Sequence, residues 1–173
     1  LIRDKDHQGV ADQYQAARDT CRHIVDLLEE GFEVVITHGN GPQVGFILLR
    51  SELAKAVLHE VPLDACGADT QGAIGYQLQQ NLQNELSSRG ISKSVATIVT
   101  QVVVGADDPS FTDPSKPIGP FYSEEEARVA AETKKWDVVE DAGRGWRRVV
   151  ASPLPERIVE LGAIKTLIAG GVA

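Results

Sequence analysis

The sequence predicts an α/β fold, a three-layer α/β/α sandwich built on a mainly parallel sheet. Two β-branched runs, Val34-Val35-Ile36 and Val95 to Val104, are separated by long stretches of helical periodicity. The order strand, helix, helix, strand favours right-handed crossovers and a sheet covered on both faces. The third observation is a change of character between Gly105 and Val150. Pro109, Pro114, Pro117 and Pro120 exclude a regular element through their part of it, and short helix and strand signals follow.

Taken in order, the first element is an amphipathic helix from about Gln8 to Glu30. Val10, Tyr14, Ala17, Cys21, Ile24, Val25 and Leu28 recur in steps of three and four, and Gly31 suits its end. Val34 to Ile36 then reads as a short strand buried on both faces. The turn His38-Gly39-Asn40-Gly41 follows, and Pro42 opens a helix to about Leu58, broken by His59-Glu60-Val61-Pro62. Asp64 to Gly67 reads as a turn, with Thr70 capping a third helix that ends at Gly90. Its seam is Ile74, Leu78, Leu82 and Leu86, either an intramolecular core face or an interface between copies.

Val95 to Val104 carries the strongest strand signal. Ser123 and Glu126 form a capping box for a helix to about Thr133. Asp137–Glu140 and Trp146–Val150 flank a Gly-Arg-Gly turn as a candidate hairpin, and Ile158 to Ala169 reads as helical.

Composition narrows the function classes. With 173 residues, 42% apolar and 24% charged, the chain suits one sizeable core. A formal charge of −8 and the lack of a long basic stripe argue against a nucleic-acid partner. No apolar run approaches the ~20 residues of a membrane span, and no secretory leader is seen. Cys21 and Cys66 have no metal-ligand or disulfide spacing, which fits a reducing cytoplasm. His7 and His23 lack the companion ligands a metal site needs.

The chemistry concentrates at residues 38–41. Gly39 and Gly41 permit positive φ and let a ligand approach bare backbone, while the helix that follows points its free N–H groups at the turn. The spacing departs from G-x-G-x-x-G, since the next glycine is Gly45, and no Lys-Ser or Lys-Thr pair makes a Walker loop. An anion site of unspecified type is the physical reading. Residues 33–49 contain no lysine or arginine, so a neutralising cation must come from elsewhere. Lys116, stiffened by Pro114, Pro117 and Pro120, is the candidate, against the alternative of a solvated loop lysine. Arg144, Arg147 and Arg148 read mainly as partners for Glu140, Asp141 or nearby carboxylates.

The string His38-Gly39-Asn40-Gly41-Pro42-Gln43-Val44-Gly45 resembles the substrate loop of carbamate kinases, in the amino acid kinase superfamily. Pro62-Leu63-Asp64-Ala65-Cys66-Gly67-Ala68, Gln71-Gly72-Ala73-Ile74-Gly75-Tyr76 and Thr100-Gln101-Val102-Val103-Val104 agree in order. So do Asp113-Pro114-Ser115-Lys116-Pro117-Ile118-Gly119-Pro120-Phe121, the block Asp141 to Val150, and Ser152-Pro153-x-Pro155. The resemblance implies an amino acid kinase-like fold in which 106–150 is a protruding subdomain over the active site. It implies the reaction of ATP and carbamate with ADP and carbamoyl phosphate, a place in arginine metabolism, and a homodimer through the third helix. His38, Gly39, Asn40 and Gly41 would bind substrate, and Lys116 would reach the phosphoryl-transfer site.

By the same resemblance, Leu1-Ile2 follows a missing first strand and Gly-Gly-Asn-Ala loop, and the nucleotide half lies beyond residue 173. Residues 1–173 are then an incomplete substrate lobe, inactive alone, with an exposed sheet edge prone to association. ATP or ADP with Mg²⁺ is implied, with no binding residues visible for either. The competing readings are another carboxylate kinase of the superfamily and a non-catalytic binding or dimerisation module.

Overall fold

A computed structural model describes residues 6–173; the expectation for Leu1-Ile2 lies outside them. The elements are α1 (Val10–Glu29), α2 (Gly41–Ala54), α3 (Leu63–Ser88), β1 (Val102–Val104), a 3₁₀ turn (Pro109–Phe111) and β2 (Lys116–Tyr122). There follow α4 (Glu124–Lys134), β3 (Asp137–Glu140), β4 (Trp146–Val150), β5 (Pro155–Ile158) and α5 (Leu161–Ala169). The chain divides into two units: the described residues through His38 with 71–100 and 160–173, and residues 39–70 with 101–159.

In the first unit, α1 and the later turns of α3 close an apolar core. Ala17, Cys21 and Val25 meet Ile74, Leu78, Leu82 and Leu86, so the seam read from the sequence is an intramolecular core face. Val10, placed on the α1 stripe by its spacing, is 69% exposed, and the buried face of α1 begins at Gln13 and Ala16 instead. Arg89 ties the helix ends together, its Nη1 donating to Asp26 and Glu29 at 2.6 Å each. Both cysteines are free and buried.

The strand expectations need correction here. Residues 33–37 form no strand, and the run from Val95 is strand only at Val102–Val104. A strand exists through its ladder partner, and propensity alone does not supply one. The described ladders are antiparallel: β1 with β5, and β2-β4-β3. One contact has parallel character. Ala173 N–H donates to Ser94 O at 2.9 Å while Ala173 O accepts from Ala96 N–H at 3.0 Å, so its two bonds straddle Val95. An antiparallel pair would exchange both bonds with a single residue.

In the second unit, α3 starts earlier than expected. Cys66 N–H donates to Pro62 O at 3.0 Å, which makes Asp64–Gly67 the first helical turn and leaves Thr70 inside the helix, not at its cap. Helix α2 stops at Ala54, not Leu58. Lys116–Tyr122 is a strand despite Pro117 and Pro120. Its position at the sheet edge, with a register break between Ile118 and Tyr122, removes the demand for a full row of N–H donors. The hairpin of β3 and β4 and the Ser123–Glu126 capping box form as read.

Candidate functional site

The turn before α2 is built by omission. Neither Gly39 nor Gly41 takes a positive φ, contrary to one use foreseen for them. A Cβ at either would meet nothing within 4 Å, so the other use stands: open space over bare backbone. His38, Gly39 and Gly41 are exposed and Asn40 is half-buried. Among the described residues, the backbone N–H groups of Asn40 and Gly41 have no acceptor. They sit at the positive end of a 14-residue helix, a setting that favours an anion.

Asn40 is the N-cap of α2, yet its side chain makes no cap hydrogen bond. Its Nδ2 instead donates to Thr70 Oγ1 at 2.7 Å, and that hydroxyl donates to Gly67 O at 2.8 Å. Thr70 is 1% exposed. Sequence reading missed this pairing, since no periodicity links position 40 to position 70.

Lys116 is the first residue of β2, exposed, and among the described residues it has no ion pair. Two contacts fix how β2 lies on α2. A Cβ on Gly45 would lie 3.8 Å from Gly119 Cα, and farther along both elements Tyr122 and Glu52 line one cleft. Three strand residues and seven helical residues each cover roughly 10 Å, so the two elements run side by side in one direction. Followed back three residues from Gly119, Lys116 lies at the end of β2 nearer the start of α2.

The strand carrying Lys116 is braced from behind. Arg147 Nη2 donates to Gly119 O at 3.1 Å, where φ is +71°, and Arg147 Nη1 lies 3.5 Å from Asp141. Arg144 donates to Asp141 at 2.7 Å and holds its carboxyl below the usual range, with Arg147 adding to the effect. Two of the three arginines are therefore structural partners of Asp141, as read from the sequence. Arg148 differs: its guanidinium lies 4.6 Å from the Trp136 ring centroid. It lines a cleft of about 580 Å³ with Leu48, Glu52, Ile118, Tyr122 and Trp136. Lys134 first, then Lys55, lower the Glu52 carboxyl, and burial raises the Tyr122 phenol.

Both cysteines are buried, and burial pushes the Cys21 thiol up to about 11 and also raises Cys66, which disfavours the thiolate. Among the described residues there is no group of three or more His, Cys, Asp or Glu that could hold a metal ion. No helix among them is long and apolar enough to cross a membrane.

No family model matches the chain. A carbamate kinase of Pyrococcus horikoshii is 48% identical over 99% of this chain, which covers 55% of that protein. One from Clostridium perfringens is 50% identical, with 99% and 55% covered. Among solved structures, carbamate kinase from Giardia lamblia bound to AMP-PNP superposes with a TM-score of 0.90 at 41% identity, covering 99% of this chain and 55% of that one. A crystal structure from Aeropyrum pernix gives 0.94 at 37% identity, covering 99% and 56%. The chain thus spans about half the length of the curated relatives it matches.

Proposed function

The chain is homologous to carbamate kinases over 99% of its length, and from that premise we propose that it is the acceptor-binding lobe of a carbamate kinase. The reaction is phosphoryl transfer between ATP and carbamate, giving ADP and carbamoyl phosphate. The observations that support it are an open glycine turn at the start of α2 and, at the start of the neighbouring strand β2, a lysine with no ion pair among the described residues.

Carbamate is an anion at neutral pH, so its oxygen attacks without a general base. The barrier lies in bringing two anions together, and it falls through positioning and charge neutralisation. The N–H groups of Asn40 and Gly41 hold the carbamate, with His38 and Gly39 shaping the turn. The Lys116 ammonium neutralises charge on the transferred group. Residues 106–150 form the flap that carries it. ATP or ADP and Mg²⁺ are the reading's cofactors, and no step is assigned to the metal. The same reading makes the protein a cytoplasmic homodimer on a mainly parallel three-layer sheet. It also makes residues 1–173 inactive alone.

The test is Lys116→Met in the full-length protein, assayed as ATP formation from carbamoyl phosphate and ADP. Turnover is expected to fall ~10²-fold or more, the scale of losing one charge-stabilising donor, with an unchanged melting temperature. Retention of near-parental turnover would remove Lys116 from the site. Turnover by residues 1–173 alone would refute the incomplete-lobe reading.

A further inference from the structure

We propose that Thr70 is a specificity-determining positioning residue: it locks the Asn40 amide so that its carbonyl oxygen is reserved for the amino group of carbamate. The inference rests on the carbamate reading above. A carbonyl can only accept, so the 2.8 Å contact between Thr70 Oγ1 and Gly67 O consumes the single hydroxyl proton. Toward Asn40, Oγ1 is then able only to accept. The atom facing it at 2.7 Å must be the amide nitrogen, which fixes the flip of the side chain by hydrogen-bond logic.

The consequence falls on the opposite edge of the amide. An N-cap asparagine ordinarily directs its oxygen at the N–H groups of its own helix. Here no such bond forms, and the oxygen has no donor among the described residues. The turn therefore offers two kinds of group: backbone N–H donors suited to a carboxylate, and one acceptor suited to an N–H. A small molecule that is anionic at one end and carries hydrogen on nitrogen at the other satisfies both. Carbamate does; the carbamoyl group of its phosphate keeps the N–H hydrogens and offers a carbonyl oxygen as acceptor to the backbone N–H groups. An isosteric acetyl group has a methyl there and leaves the oxygen unpaired, which is how a polar site rejects an analogue lacking the matching hydrogen. Thr70, at 1% exposure and held in α3, touches no substrate itself and acts through Asn40.

The experiment compares carbamoyl phosphate with acetyl phosphate as donors for ATP synthesis from ADP, using the full-length protein, Thr70→Val and Thr70→Ser. Thr70→Val keeps the shape and removes the hydroxyl. Its preference for carbamoyl over acetyl phosphate in kcat/KM should shrink by ~10-fold or more, while Thr70→Ser keeps the parental ratio. A Thr70→Val variant that loses both activities in equal proportion, or keeps the parental ratio, overturns the inference and leaves the carbamate reading intact. A parental enzyme that uses neither donor overturns both.

Discussion

Seven side chains from α1 and α3 bury against one another, and Val25, Leu82 and Leu86 are each 1% exposed or less. In the segment from β2 to β4, the described apolar side chains buried to a similar class are Ile118, Ala127, Ala130 and Val149, two of them alanines. What that segment has in place of bulk is polar bracing: Asp141 with two arginines, Arg147 on the Gly119 carbonyl, and Arg148 and Lys134 over Trp136. One region is held by non-directional burial of area, the other by directional contacts made at its surface. The first suits a fixed platform. The second suits a segment that can loosen locally without a core being taken apart.

The most damaging test of this contrast is Leu82→Ala. Leu82 is 1% exposed, and truncating such a residue costs about 2–5 kcal/mol as lost transfer energy plus a residual cavity. Urea unfolding should show the whole loss. A change below the effect of a surface substitution would mean that the helical core is not the platform.

A smaller loss is expected from Gly75→Ala. A Cβ there would sit 2.1 Å from Thr97 Cγ2, a separation no real pair tolerates, so the helix and the 95–101 segment must part. Overpacking of this kind costs about 1–3 kcal/mol. Thr97→Ala should return part of it in the double variant, since the nearest atom is then gone. Strict additivity of the two changes in a double-mutant cycle would show that the close approach is not what makes Gly75 necessary.

How far the sequence foretold these regions follows from what each rests on. The α1 stripe from Ala17 onward and the Ile74-Leu78-Leu82-Leu86 seam are local periodicities, and both ended in the core. The Ser123–Glu126 capping box and the hairpin turn are also local, and both formed. Val34–Ile36 and Val95–Gln101 failed as strands because a ladder partner is not written in the run itself. Lys116–Tyr122 failed the other way: its prolines forbid a central strand but not an edge one, and position in a sheet is a tertiary property. At the candidate site, the glycine turn and Lys116 were visible as residue types. The link from Asn40 to Thr70 was not, since it spans 30 positions and joins a turn to a helix interior.

The mildest test separates the two regions by pH. The Arg144 hydrogen bond, then Arg147, holds the Asp141 carboxyl below its usual range. A carboxyl whose folded value is depressed adds stability that is present above its unfolded value and lost as pH falls through the folded one. Asp141→Asn should therefore weaken protection of the β4 amides in hydrogen exchange near neutrality, with α3 amides unaffected. In acid, below the depressed Asp141 value, the parent's carboxyl is protonated, and the two proteins should converge. If Asp141→Asn loosens α3 as much as β4, or if the gap between the proteins persists in acid, the polar brace is not the local and titratable device that sets the β2 to β4 segment apart from the helical core.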